Sequence, residues 1–105
     1  MPGHVQHFPP EIEALAAFDG PFHAFNLRAD NSDVLFASYP AGTKIEPHAH
    51  HTNNVGVITK GQLILSVEGR RSTYGLGDWY HVPAGVMHAA EFDVDSAEIE
   101  FWFRP

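Results

Sequence analysis

The chain contains no cysteine in its 105 residues, which excludes disulfides and thiolate ligands together. Any metal it holds must therefore rest on nitrogen and oxygen donors. Basic residues are scarce as well: six Lys and Arg stand against 13 Asp and Glu, for a formal charge of −7. Nucleic acid demands a concentrated basic surface, so no nucleic-acid partner is expected. Arg70-Arg71 is the single basic pair and falls where a hairpin turn is expected, a solvated position. No apolar run approaches the roughly 20 residues that cross a bilayer, which argues against a membrane partner. The opening Met-Pro-Gly-His-Val-Gln-His lacks the basic-then-apolar order of a secretory leader, and a cytoplasmic location is the expectation.

Helical signal is also thin. Residues 9–18 are the only stretch that reads as helix: Ile12, Leu15 and Ala16 share a face, prolines lead, and Asp19-Gly20-Pro21 stops it. An N-terminal arm over 1–20 with one short helix is expected, followed by a single domain over 21–105. That domain reads as short strands cut by turn residues. Phe22–Leu27, Val34–Tyr39, a strand running from His48 toward Ile58, Leu63–Val67, Ser72–Tyr74, Trp79–Val82, His88–Phe92 and Ala97–Phe103 are the predicted strands. Close spacing of short strands is the mark of an all-β sandwich or closed barrel. At this length a modest share of the surface is buried, and a second copy of the chain is the expected partner, as a homodimer.

What the chain has in quantity is histidine, eight residues. His48 and His50 lie two apart, so on a strand both rings leave the same face. With His88 brought in from a distant strand, they make three corners of a transition-metal site. Histidine binds metal in its neutral form, so affinity is expected to fall as pH drops past roughly 6.5. His51 points away from His50 on a regular strand, and His4, His7 and His23 have no motif around them and read as surface. The tyrosines, tryptophans and phenylalanines read as core or subunit interface, and one of Asn53 and Asn54 should face outward.

The spacing around these histidines matches a known pattern. Gly42-x5-His48-x-His50-x3-Asn54-x6-Gly61 resembles the first cupin motif, and Gly77-x5-Pro83-x-Gly85-x2-His88-x3-Phe92 resembles the second. Together they cover residues 42–92. The resemblance implies an all-β, cupin-type jelly-roll barrel, a homodimer, and one divalent metal inside one end of the barrel. It assigns the ligands to His48, His50 and His88. It also places Asn54 where the family has a glutamate ligand, and Phe92 where the family has an asparagine. Asn54 is expected as a weak or outer ligand and Phe92 as core. A neutral amide in place of a carboxylate leaves the cation close to its full charge, favouring an anionic or chelating ligand.

A three-histidine set with open positions resembles the cupin thiol dioxygenases and diketone-cleaving cupins. The expected function is thus a metal-dependent dioxygenase, isomerase or lyase acting on a small polar molecule, with iron, manganese, nickel or zinc as the metal. His81, next to Val82-Pro83, or a nearby glutamate is the candidate general base. The alternative is a non-catalytic module that binds or senses a small molecule. Among carboxylates able to complete the site, Glu46 is expected in the incoming loop. Glu98 and Glu100, alternating with Ile99, Phe101 and Phe103, are expected as exterior charges.

Overall fold

The computed structural model describes residues 8–105; His4 and His7 lie outside them. Two antiparallel sheets pack face to face, as a jelly-roll requires. The larger runs in the order β1 (Ala16–Ala17), β2 (His23–Arg28), β3 (Ser32–Tyr39), β10 (Ser96–Phe103), β5 (Asn53–Lys60), β8 (Trp79–Val82). The smaller runs β4 (Thr43–His48), β9 (His88–Phe92), β6 (Gln62–Val67), β7 (Arg70–Gly75). The expected helix shrinks to α1 (Pro10–Glu13), because Ala16 and Ala17 leave it to pair with Asn26 and Phe25 on β2.

The turns follow local chemistry. Glu68 and Gly69 both have positive φ, 50° and 81°, and Val67 pairs with Arg70. That is a two-residue hairpin loop whose twist matches the strands it joins. Arg70 and Arg71 accordingly lie on β7 rather than in the turn, and Arg71 pairs with Glu91 at 2.9 Å.

Between the sheets lie Leu35, Ala37, Tyr39, Ile58, Leu63, Leu65, Val82 and Phe92, all buried. Tyr39 of the large sheet stacks on Phe92 of the small one at 3.8 Å and 8°, so Phe92 serves as core, as expected. Strand β10 contradicts its expected orientation. Glu98 is 2% exposed and lies with Glu100 and Trp102 on the inner face, whereas Ile99, Phe101 and Phe103 face outward. The outer positions pair with Val34, Phe36, Val55 and Val57 of the flanking strands, which gives them apolar neighbours. The inner positions find phenol and indole hydrogen-bond donors instead.

Candidate metal centre and its cavity

Strand β4 ends on His48, which pairs with His88 at the start of β9. The expected continuous strand from His48 to Ile58 is broken: residues 49–52 form a bend, and β5 begins at Asn53. His50 therefore sits on the bend rather than beside His48 on a strand. The bend is tied to the Pro83–Gly85 turn, where Gly85 N–H donates to the His50 carbonyl at 2.8 Å and Ala84 N–H donates to Asn53 Oδ1 at 2.9 Å. Of the two asparagines, Asn53 makes this rim contact and Asn54 is buried.

The three imidazoles converge. One ring nitrogen from each of His48, His50 and His88 lies within 4.8 Å of the others. His48 Nδ1 is 2.7 Å from the Glu46 carbonyl and His88 Nδ1 is 3.0 Å from the Val86 carbonyl. Each Nδ1 donates its proton to a carbonyl, which leaves Nε2 as the bare donor. His48 Nε2 and His50 Nε2 stand 3.0 Å apart, the separation of two nitrogens bound at right angles about 2.1 Å from one ion. Burial, then the neighbouring His48, His88 and His51, hold His50 down to about 4. Burial likewise lowers His88, against the opposing Val86 bond. Rings kept neutral are rings competent to bind metal, so the donor set fits a divalent ion.

Asn54 is 2% exposed and lines the same cavity, and its Oδ1 accepts from the Thr52 hydroxyl at 2.6 Å. Glu46 is exposed and contributes its carbonyl to His48. His81 is exposed and pairs with Val55, which pairs in turn with the outward-facing Phe101; it is not among the cavity-lining residues. His51 is exposed, and His23, expected on the surface, is half-buried with its ring 5.2 Å from Phe25.

The cavity has two parts. An inner chamber of about 30 Å³ is lined by the three imidazoles, Asn54, Glu98 and Glu100, with space for one or two waters. An open vestibule of about 440 Å³ meets it at His48, His50 and Trp102, between Phe18, Phe22 and Pro47. Trp102 lies 4.6 Å from the His50 ring and 5.4 Å from Phe18.

Reasoning from the sequence missed the acidic end of the chamber. Tyr39 donates to Glu98 Oε2 at 2.6 Å. The Tyr80 hydroxyl contacts both Glu98 Oε1 and Glu100 Oε2, and Trp102 Nε1–H donates to Glu100 Oε1. Burial, reinforced by Glu100, pushes the Glu98 carboxyl up to about 8; burial also raises Glu100. The signal available was parity alone, since Glu98, Glu100 and Trp102 share one face of β10.

Comparison with known proteins agrees with this architecture. Residues 35–102 match the family described as cupin domain. Over 86 residues the chain is 27% identical to the H2HPP isomerase of Bacillus subtilis, covering 81% of this chain and 36% of that protein. The chain thus spans about a third of the length of this curated relative. An RmlC-like cupin from Shewanella frigidimarina superposes with a TM-score of 0.79 at 21% identity, over 95% of this chain and 92% of that one. The DMSP lyase DddQ from Ruegeria pomeroyi superposes with a TM-score of 0.66 at 25% identity, over 71% and 39%.

Proposed function

Because the chain belongs to the cupin family, we propose that it is a metal-dependent isomerase or lyase acting on a small polar molecule. One divalent transition metal, iron, manganese, nickel or zinc, is held by His48, His50 and His88, with Asn54 as a weak or outer ligand. When bound, the metal supplies Lewis acidity toward a ligand oxygen. The observation that carries this reading is the convergence of three imidazoles on a chamber that also contains the Glu98–Glu100 acidic pair.

The rest of the task falls to side chains. Phe22, Pro47 and Trp102 wall the vestibule that admits the ligand. Trp102 also bridges to Glu100, so the vestibule wall and the acidic pair are mechanically one unit. Redox-neutral chemistry is favoured over the dioxygenase expectation because the chamber carries proton-holding groups. The isomerase and lyase named above support the same side. With His81 exposed, the candidate acid–base groups are the glutamates, the other half of the original expectation.

A second reading, a binding or sensing module without turnover, draws on the small inner chamber: about 30 Å³ cannot enclose an organic ligand, which must stay in the vestibule. Incubating the metal-loaded protein with small oxo acids, hydroxy acids, diketones and thiols separates the readings. Product formation without oxygen uptake supports the isomerase or lyase, and oxygen uptake supports a dioxygenase. Saturable binding with no product supports the module. We also infer a homodimer and a cytoplasmic location. Among the described residues no helix is long and apolar enough to cross a membrane.

A further inference from the structure

The contacts at the acidic end of the chamber require one more hydrogen than their phenol and indole donors supply. Four short contacts join Tyr39, Tyr80 and Trp102 to the two carboxyl groups. Tyr39 O–H supplies a hydrogen to one and Trp102 N–H to another. Tyr80 has a single O–H yet touches both Glu98 Oε1 and Glu100 Oε2. An ionised carboxylate only accepts, so with both ionised one contact would set two lone-pair oxygens against each other. The chain Glu98–Tyr80–Glu100 is complete only when one carboxyl is protonated and donates to the Tyr80 oxygen while Tyr80 donates to the other.

Two arrangements satisfy this count: the extra proton on Glu98, or on Glu100. A paired shift of two hydrogens through the Tyr80 oxygen interconverts them. Both carboxyls line the chamber with the imidazoles, His48 of β4 among them. Tyr39 from β3 also faces the pair, hydrogen-bonded to Glu98, and Tyr74 from β7 packs behind, its ring 5.7 Å from that of Tyr80. Burial raises both carboxyls, and the neighbouring Glu100 raises Glu98 further, as expected of two acids that share one proton.

We propose that Glu98, Tyr80 and Glu100 form a proton relay behind the three-histidine centre, serving a proton shift at carbon in a small 2-oxo acid or β-dicarbonyl ligand. The inference rests on the metal-dependent reading above. Three uncharged imidazoles leave a divalent ion its full charge, which selects a ligand that chelates through two oxygens and carries negative charge. In the shift, the C–H bond next to the carbonyl breaks and its electron pair moves into the carbon–carbon bond of the enol form. The proton crosses the chamber, directly or through one water, to the ionised member of the pair. A proton then leaves the relay to form a C–H bond at the same carbon or at its conjugated partner. No oxidant or reductant enters the balance.

Two measurements on the protein as isolated test this. Infrared spectroscopy at neutral pH should show a protonated carboxyl band that both Glu98→Gln and Glu100→Gln remove, since either change restores one hydrogen per contact. Proton NMR in D₂O should show the metal-loaded protein exchanging the methyl hydrogens of pyruvate, with about a hundredfold loss in each variant at unchanged metal content. Tyr80→Phe, which keeps both carboxyls and breaks the bridge, should show the same loss and serves where a glutamine variant does not fold. Absence of the band in wild type, or exchange unaffected by the substitutions, overturns the relay. Exchange that falls only in step with metal content also overturns it, because the cluster then merely supports the centre. A wild type that holds metal but exchanges nothing rejects the relay and leaves the metal centre standing; a wild type that holds no metal rejects both.

Discussion

His48 and His50 present their Nε2 atoms to each other at 3.0 Å. With His48 Nδ1 committed to the Glu46 carbonyl, this brings a bare nitrogen against its neighbour, an arrangement that a shared cation relieves. The pair is held by backbone: the end of β4 fixes one ring, and the Gly85 bond to the His50 carbonyl fixes the bend that carries the other.

Asn54 tests how much charge the centre tolerates. Its buried amide lines the chamber and accepts from Thr52. Asn54→Glu should tighten divalent-metal retention by about tenfold or more in competition with a chelator, the scale on which ligand-shell changes act, while altering or abolishing turnover. Unchanged retention would show that residue 54 does not address the metal.

The metal-free protein should have a distinctive pH profile. Folded His50, held down to about 4 against an ordinary 6.5, refuses a proton that the unfolded chain accepts, so stability is lost as pH falls between those values. Glu98 acts in the opposite sense. Folded, it keeps a proton up to about 8 that the unfolded chain sheds above 4.5, so its contribution is lost as pH rises through that range. Thermal melts should therefore show a decline above about pH 6.5, where only the carboxyl effect remains, and Glu98→Gln should flatten it. An unchanged slope in that variant would contradict the assignment.

The outer face of the large sheet carries the dimer expectation. Trp79 is 58% exposed and stacks on Phe101 at 6.2 Å, and Phe101 stacks in turn on Phe103, itself 42% exposed, at 6.3 Å. An exposed apolar face of this kind suits burial against a second copy. Sedimentation should give a dimer for the wild type and a monomer for Phe101→Glu at equal concentration. A monomeric wild type across the accessible range would refute it.

Gly56 is a packing test for the relay. It pairs with Tyr80 on one side and Glu100 on the other, and a Cβ there would collide with the Tyr80 ring. Gly56→Ala should cost about 1–3 kcal/mol through overpacking and displace the Tyr80 hydroxyl from the carboxyls. Gly75→Ala, whose nearest contact would be 3.8 Å from Asp78, should change the denaturation midpoint little.

The strands and the three converging histidines were legible because turn residues and motif spacing are local signals. Seven of the eight predicted strands correspond to strands of the fold, and the eighth, from His48, was misread at its start. A bend at residues 49–52 leaves no mark on periodicity, since it is held by the distant Pro83–Gly85 turn. The inversion of β10 was hidden for a related reason. Alternation shows that Glu98, Glu100 and Trp102 share a face, but which face is inside depends on Tyr39 and Tyr80 arriving from β3 and β8. His81 shows the same limit, its outward direction being set by the pairing of β8 with β5.

X-ray absorption combined with elemental analysis of protein purified without added metal addresses the central claim most directly. The three-histidine centre predicts about one divalent transition metal per chain with three imidazole nitrogens near 2.1 Å, lost in both His48→Ala and His88→Ala. Substoichiometric metal in the wild type, or metal retained unchanged in those variants, would contradict it.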